Sequence, residues 1–144
     1  MVEKQKIYFS GAIRGGRERV EVYRHIIEKI KENGEVLTEH IGSKDLEKIE
    51  KETNDISIYK KDIMLLNEAD AVIAEVTVPS LGVGYEIAYA EQHGKPVLCL
   101  YDSTDKNHKL SAMISGNRNI ILAIYDAIEK ADKAIAEFMK NNEK

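Results

Sequence analysis

The chain has 144 residues, a length typical of one domain with one hydrophobic core, and we predict a single domain over residues 1–144. Hydrophobic residues make up 43% of it and charged residues 32%, which describes an ordinary globular protein and excludes a disordered or fibrous one. A net charge of -4 argues against binding to nucleic-acid polymers, which requires a basic face, but still allows one small basic spot for a single phosphate.

The sequence shows no sign of secretion or of a membrane partner. No apolar run approaches the ~20 residues of a membrane-spanning helix, and residues 1–6 are too short and too polar for a signal peptide. The single cysteine, Cys99, excludes an intrachain disulfide and lies in an apolar run, so we expect it to be buried and inert. We therefore expect a cytoplasmic protein.

The first predicted strand, residues 6–10, leads into a turn rich in glycine and arginine at residues 11–17. Backbone N–H groups, a helix N-terminus and guanidinium groups in such a turn suit the binding of a phosphate. The turn has neither the GxGxxG spacing of dinucleotide-binding proteins nor the Lys-Ser/Thr of a P-loop. A flexible surface turn therefore remains the alternative.

A first helix follows, with an apolar stripe between Val20 and Ile30, and Asn33-Gly34 is expected to end it. Residues 36–38 are predicted to form the second strand, with His40 emerging at its carboxyl end. This histidine is a candidate for the site, or else an ordinary surface residue.

Two charged or amphipathic stretches come next. Residues 44–53 are densely charged, which indicates a solvated helix or a cover for the site. Residues 55–68 are predicted to form a helix in which Asp62 falls between apolar positions. A carboxylate on the core side of a helix needs a partner or a function. The alternative is a rim aspartate paired to Lys60 or Lys61.

The stretch around Glu86 organises the rest of the chain. Residues 71–74 are predicted to form a central parallel strand, and a polar loop follows that contains Ser80 and Gly82. We expect Glu86 in the first turn of the next helix, where the helix dipole favours the ionised carboxylate and so a nucleophile rather than a proton donor. The alternative is that Glu86 is only a favourable first-turn acid.

The remaining elements complete an α/β pattern. The Glu86 helix is expected to end at residues 93–96, before a strand at 97–100, a loop at 101–109 and a short helical turn at 110–116. A fifth strand at 119–124 and a last helix at 125–138 follow. This alternation predicts a five-stranded parallel sheet with helices on both faces, a flavodoxin-like or Rossmann-like three-layer sandwich. The sequence does not fix the strand order.

The available side chains narrow the chemistry. The four histidines show no metal-ligand spacing, and there is no nucleophile elbow, so we expect neither a metal nor another cofactor. Two carboxylates beside an anion-binding turn are the equipment for glycosyl transfer on a sugar phosphate, because one attacks the anomeric carbon and one manages the proton of the leaving group.

Four segments, in the same order along nearly the whole chain, resemble the 2′-deoxynucleoside 5′-monophosphate N-glycosidases. These are the Rcl-type hydrolases, relatives of the nucleoside 2-deoxyribosyltransferases. The segments are YFSGAIRGGRE at 8–18, LTEH at 37–40, AEVTVPSLGVGYE at 74–86 and LSAMI at 110–114. The resemblance implies a flavodoxin-like fold and cleavage of the bond between a base and 2-deoxyribose 5-phosphate.

The resemblance also implies roles for individual residues. Glu86 matches the nucleophile that holds the sugar as a covalent ester, Asp62 the second acid, and Tyr8 the tyrosine that orients the nucleophile and crowds a 2′-hydroxyl. His40 is given a role near the base or the water. Further substrate contacts are implied for a set of loop residues: Ile13, Arg14, Gly15, Gly16, Ser80 and Gly82. In the family, the residues matching Ser111 and Met113 reach the neighbour's site across a homodimer.

One departure from the family pattern concerns the phosphate. The family commonly has a serine where this chain has Ala12, so one hydroxyl donor is missing. Backbone N–H groups and Arg14 offer compensation, since charged hydrogen bonds contribute roughly twice the ~1 kcal/mol of neutral ones. Two alternatives stay open: a deoxyribosyltransferase acting on unphosphorylated nucleosides, and a non-catalytic nucleotide-binding module.

Overall fold

A five-stranded, all-parallel sheet forms the centre of the protein. The computed structural model describes residues 4–13, 19–43 and 46–143. The strands run in the order β2-β1-β3-β4-β5, which is the flavodoxin-like order that the sequence left undetermined. Their bounds are β1 (Gln5–Ser10), β2 (Gly34–Val36), β3 (Ala71–Glu75), β4 (Val97–Asp102) and β5 (Ile121–Tyr125).

Helices cover both faces of this sheet, so the predicted three-layer α/β sandwich is confirmed. They are α1 (Val20–Lys31), α2 (Leu46–Lys51), α3 (Asp55–Glu68), α4 (Leu81–Gln92), α5 (Ala112–Ser115) and α6 (Ile128–Asn141), with a 3₁₀ helix at Glu39–Gly42. Apolar residues of α1 and α6 pack on one face, and those of α3 and α4 pack on the other. The sheet is therefore buried on both sides, as an all-parallel sheet requires.

Most predicted helix boundaries have a clear local cause. Asn54 caps α3, because its side chain accepts a hydrogen bond of 2.8 Å from the Ser57 N–H. The helix α4 ends at Gln92, two residues before Gly94, whose φ of 71° lies in the left-handed region that glycine adopts without strain. Cys99 is fully buried in β4, as expected, and burial raises the pKa of its thiol to about 12.

The second strand lies earlier than predicted. It spans Gly34–Val36 rather than residues 36–38, so Gly34 begins the strand instead of ending the helix. Thr38 has already left the sheet, but its buried hydroxyl accepts from the Phe9 N–H at 2.9 Å and donates to the Phe9 carbonyl at 2.7 Å. The strand β2 ends before it can pair with Phe9 of β1, so the Thr38 side chain takes the place of the missing backbone partner.

The last strand and helix begin later than predicted. The strand β5 starts at Ile121, because the chain is still turning at Asn119, whose N–H donates to the side chain of Asn117 at 2.9 Å. The strand also includes Tyr125, which pairs with Asp102 of an extended β4. The final helix therefore starts at Ile128 instead of residue 125.

Within the described ranges, no helix combines the length and the apolar character needed to cross a membrane. The cellular location of the protein remains a prediction.

The two hydrogen bonds between the Thr38 hydroxyl and the Phe9 backbone give a test of the fold. Replacing Thr38 with Val leaves the buried N–H and carbonyl of Phe9 without partners, so we expect the free energy of unfolding to fall by about 2 kcal/mol. Thr53→Val is the matched control, because the Thr53 hydroxyl bonds only at the exposed end of α2. Urea denaturation measures both. Equal, small losses in the two variants would contradict the assigned role of Thr38.

Candidate active site

A cleft of about 1040 Å³ opens at the carboxyl edge of the sheet, between the segments that follow β1 and β3 and the helices α2 to α5. This edge is where open α/β sheets bind their ligands. The cleft gathers most of the predicted site residues that the structure describes, among them Ile13, Asp62, Ser80, Gly82, Glu86, Ser111 and Met113.

Glu86 lies in the second turn of its helix, not in the first turn as predicted. The helix α4 already begins at Leu81, because Ser80 acts as its N-cap and accepts a hydrogen bond of 3.3 Å from the Val83 N–H. Gly82 is thus helical rather than part of a loop. The effect of a helix dipole fades beyond the first turn, so the dipole is not what tunes the Glu86 carboxylate.

Two hydroxyl groups of β1 hold the Glu86 carboxylate instead. The Tyr8 hydroxyl donates a short hydrogen bond to Oε2, and the Ser10 hydroxyl donates to Oε1 at 2.7 Å. Side chains two apart in a strand point to the same face, so Tyr8 and Ser10 both face α4. Each carboxylate oxygen therefore has its own donor, which fixes the orientation of the side chain.

Burial and the two hydroxyl donors shift the pKa of Glu86 in opposite directions. Burial raises the pKa to about 7, and the nearby Asp62 and Glu50 add to the rise, while the hydrogen bonds from Tyr8 and Ser10 lower it. The expectation of a carboxylate ionised by the helix dipole was therefore wrong in its cause. The two hydroxyl groups thus favour the ionised form of Glu86 against the effect of burial.

Asp62 is the second acid of the cleft. Burial raises its pKa to about 6, and repulsion by Glu50 adds to this, whereas Lys61 lowers it. The alternative was a rim aspartate paired to Lys60 or Lys61. Asp62 instead lines the cleft and is half-buried, and the attraction of Lys61 affects its pKa less than burial and Glu50 do. A carboxyl group with a pKa close to neutral can both give and take a proton.

Ser111 and Met113 line the same cleft from the segment around α5. Ser111 is the N-cap of this short helix, and its Oγ accepts from the Met113 N–H at 3.2 Å. The Met113 side chain is 81% exposed. Both residues thus line the cleft of their own chain and are exposed at its edge.

Other predicted residues are not brought to the cleft by the described structure. His40 lies in the 3₁₀ helix after β2 and is not part of the cleft lining. Arg14, Gly15 and Gly16 lie outside the described residues. Ala12 is fully buried, and its N–H donates to the Tyr23 hydroxyl at 3.1 Å, so this N–H points at the protein and does not replace the missing serine.

Sequence reasoning missed two residues of the site. Ser10 shares the strand parity of Tyr8, so the alternation of β1 could have identified it. Glu50 lies in the charged helix α2 and lines the cleft beside Asp62. The prediction of a cover over the site at residues 44–53 pointed to the right segment but not to this residue, since the charge pattern there has no clear period.

Across residues 4–13, 19–43 and 46–143, no group of three or more His, Cys, Asp or Glu side chains is arranged to hold a metal ion.

The fold agrees with comparisons to known proteins. Residues 7–116 match the family described as nucleoside 2-deoxyribosyltransferase. The chain belongs to this family.

Individual relatives carry more specific names. A protein of Nematostella vectensis named 2′-deoxynucleoside 5′-phosphate N-hydrolase 1 is 52% identical over 80% of this chain and 79% of its own. The protein of the same name in Methanosarcina mazei is 41% identical over 95% of this chain and 85% of its own. The 5-hydroxymethyl-dUMP N-hydrolase of Rattus norvegicus is 46% identical over 76% of this chain and 68% of its own.

A solved structure supports the fold. The CMP N-glycosidase of Clostridium botulinum superimposes with a TM-score of 0.66 over 93% of this chain and 99% of its own, at 18% sequence identity.

The hydrogen bonds to Glu86 predict a measurable titration. Replacing Tyr8 with Phe removes a donor that favours the ionised carboxylate, so we expect the pKa of Glu86 to rise above its wild-type value of about 7. Carbon NMR of glutamate-labelled protein measures the titration, with Glu86→Gln assigning the resonance. Tyr59→Phe is the control, because its hydroxyl faces Tyr85 at the surface. An unchanged or lower pKa in Tyr8→Phe would contradict the assigned contact.

Proposed function

We propose that the protein hydrolyses the N-glycosidic bond of 2′-deoxynucleoside 5′-monophosphates, releasing the free base and 2-deoxyribose 5-phosphate. The observation that carries this proposal is the placement of Glu86, oriented by Tyr8 and Ser10, in one cleft with a second acid, Asp62. The names of relatives at 41–52% identity support the same reaction class.

The two carboxyl groups divide the reaction between them. An oxygen of the Glu86 carboxylate attacks C1′ as the bond from C1′ to the base nitrogen breaks, and the electron pair leaves with the base. Asp62 gives its proton to that base. Asp62, now ionised, then takes a proton from water, whose oxygen attacks C1′ and displaces Glu86 as a carboxylate. Each group ends in its starting state.

The environment of each acid suits its role. Two hydroxyl donors stabilise negative charge on Glu86, which a nucleophile carries before attack and regains on departure. Burial and Glu50 raise the pKa of Asp62 to about 6, which suits a group that gives and takes a proton near neutral pH. A sugar lacking the 2′-hydroxyl forms the oxocarbenium-like transition state more readily, which favours 2′-deoxy substrates.

The glycine- and arginine-rich turn supports a substrate with a 5′-phosphate. A phosphate held at this turn supplies binding energy away from the bond that breaks, and such remote binding orients the reacting centre. Ile13, at the start of this turn, lines the cleft with Ser80. We therefore propose that the phosphate binds near Ile13 and the N-terminus of α4.

A homodimer with shared sites is part of the proposal. Apolar side chains stand exposed around the mouth of the cleft: Leu81 is 97% exposed, and Tyr85, one turn later in α4, contacts the exposed Tyr59 of α3. Exposed apolar side chains clustered in this way favour association. Across it, the exposed Met113 and Ser111 of one protomer complete the site of the other.

A substrate panel tests the reaction. We expect chromatography to show free base released from deoxynucleoside monophosphates, but not from ribonucleotides or unphosphorylated nucleosides. Glu86→Gln should lower kcat by about a thousandfold and Asp62→Asn by about a hundredfold. Glu68→Gln, an exposed carboxylate at the end of α3, is the matched control.

Two outcomes would overturn this proposal. Release from unphosphorylated nucleosides only when a second base is supplied would identify a deoxyribosyltransferase. Activity that survives Glu86→Gln unchanged would remove the nucleophile assigned here.

Mixing of inactive variants tests the shared site. Combining Glu86→Gln protein with a Ser111→Ala/Met113→Glu variant lets a mixed dimer assemble one intact site, so we expect recovery to about a quarter of wild-type activity. Mixing Glu86→Gln with Asp62→Asn is the control, because both residues belong to the same half of a site and no intact site forms. Equal recovery in the two mixtures, or none in the first, would contradict sharing.

A further inference from the structure

The chain between β4 and β5 brings several side chains to the cleft with little secondary structure of its own. Ser111, Met113 and Asn117 line the cleft from residues 108–119, which we name the α5 segment. The helix in it, α5, spans only the four residues Ala112–Ser115. A helix this short is not stable by itself, so contacts with other elements must fix the segment.

Apolar packing fixes only the middle of the α5 segment. Leu110 and Ile114 are partly buried against the core of α3 and α4. Ser111 and Met113 are exposed instead, and Met113 keeps 81% of its accessible surface. Two partly buried side chains give limited packing, so the two ends of the segment depend on polar contacts.

Glu91 holds the carboxyl-terminal end of the α5 segment. Its Oε1 accepts a hydrogen bond of 2.7 Å from the side-chain amide of Asn117, and its Oε2 accepts one of 3.0 Å from that of Asn119. The side-chain oxygen of Asn117 accepts in turn from the Asn119 N–H at 2.9 Å. We name these three side chains the Glu91 clamp. Hydrogen bonds to a charged carboxylate are stronger than those between neutral groups, so the clamp joins the end of α4 to the residues that follow α5.

The position of Glu91 is unfavourable for its own helix. Glu91 lies in the last turn of α4, where the unpaired backbone carbonyl groups of a helix disfavour a negative charge. The hydrogen bonds from Asn117 and Asn119 instead lower the pKa of Glu91 and so favour its charge. The α5 segment, and not the helix, therefore explains a carboxylate at this position.

The other end of the α5 segment is tied to the sheet. The Tyr101 hydroxyl of β4 donates to the His108 carbonyl at 3.1 Å, and Nδ1 of His108 lies 3.1 Å from Oδ2 of Asp105. Ser111 and Met113 thus lie between two tied points, one at the sheet and one at the end of α4. These are the two residues that the proposed function assigns to the site of the other protomer.

We propose that Glu91 is a positioning residue for substrate binding: through Asn117 and Asn119 it holds the α5 segment so that Ser111 and Met113 meet the substrate in the other protomer's site. This inference rests on the proposed function, which places those two residues there. A segment already held in its binding geometry loses less conformational freedom when the substrate binds. The gain appears in KM rather than in kcat, because no hydrogen bond of the clamp involves Glu86 or Asp62.

Replacing the clamp residues separates KM from kcat. With the deoxynucleoside monophosphate that the wild type hydrolyses fastest, we expect Glu91→Ala to raise KM about fivefold and to change kcat by less than about twofold. Glu91→Gln should give a smaller rise, because glutamine keeps one acceptor oxygen. Asn119→Ala, which removes one donor, should change KM in the same direction. Thermal denaturation checks that each variant is folded.

Gln92→Ala is the matched control. Gln92 is the exposed neighbour of Glu91 in the same turn of α4. We expect its KM and kcat to match the wild type, which would show that shortening a side chain at the end of α4 has no effect of its own. If Glu91→Ala proves unstable, Glu91→Gln and Asn119→Ala carry the test against the same control.

Mixed dimers show which protomer's site Glu91 serves. In the first mixture, Glu86→Gln/Glu91→Ala protein is combined with Ser111→Ala/Met113→Glu protein, so the intact site takes its α5 segment from the chain that lacks Glu91. In the second mixture, Glu86→Gln protein is combined with Glu91→Ala/Ser111→Ala/Met113→Glu protein, so the intact site takes an unaltered α5 segment. We expect the raised KM in the first mixture only.

Three results would overturn the inference, and they differ from failure of the proposed function. In the first, the folded clamp variants lose thermal stability or kcat while KM stays unchanged. In the second, Gln92→Ala raises KM as much as Glu91→Ala does. In the third, the raised KM appears in the second mixture, or neither mixture recovers activity. A wild-type protein that releases no base from monophosphates would instead overturn the proposed function, and this inference with it.

Discussion

The site depends on one buried carboxylate being held in place by a neighbouring strand. Burial alone drives Glu86 towards its neutral form, and the hydroxyl groups of Tyr8 and Ser10 oppose this by binding one oxygen each. These donors are available because β1 lies beside β3, whose following helix carries Glu86. The order of strands in the sheet thus sets both the orientation and the protonation of the proposed nucleophile.

Carboxylates lie on both faces of the sheet near its carboxyl edge, and the two faces treat them differently. On the cleft side, burial and the nearby Glu50 raise the pKa of both Asp62 and Glu86. On the α1 and α6 side, Glu75 is satisfied by donors and by Arg19. A carboxylate that lines a cleft with room for substrate is suited to chemistry, whereas one enclosed by its partners is suited to holding the framework.

The location of the buried hydroxyl groups shows how a parallel sheet accommodates a polar site without losing stability. Thr38 completes the hydrogen bonding of Phe9 where β2 ends. Tyr125 bonds to both Glu75 and Arg19. Each hydroxyl both donates and accepts a hydrogen bond, so it can pair polar groups that the backbone hydrogen bonds of the sheet do not satisfy. The cleft is therefore built on strand ends whose own polar groups are already paired.

The sequence by itself determined the α/β class, the strand at residues 71–74 and the helix of Asp62, and it predicted Glu86 and Asp62 as the two acids of the site. These follow from local periodicity and from motifs, which act over short distances along the chain. Only the tertiary structure decided the strand order, the donors of Glu86, the contribution of Glu50 and the contacts of Arg19 with Asp102 and Tyr125. Those features join residues from separate elements, and burial and hydrogen bonding between such residues exist only once the elements have packed.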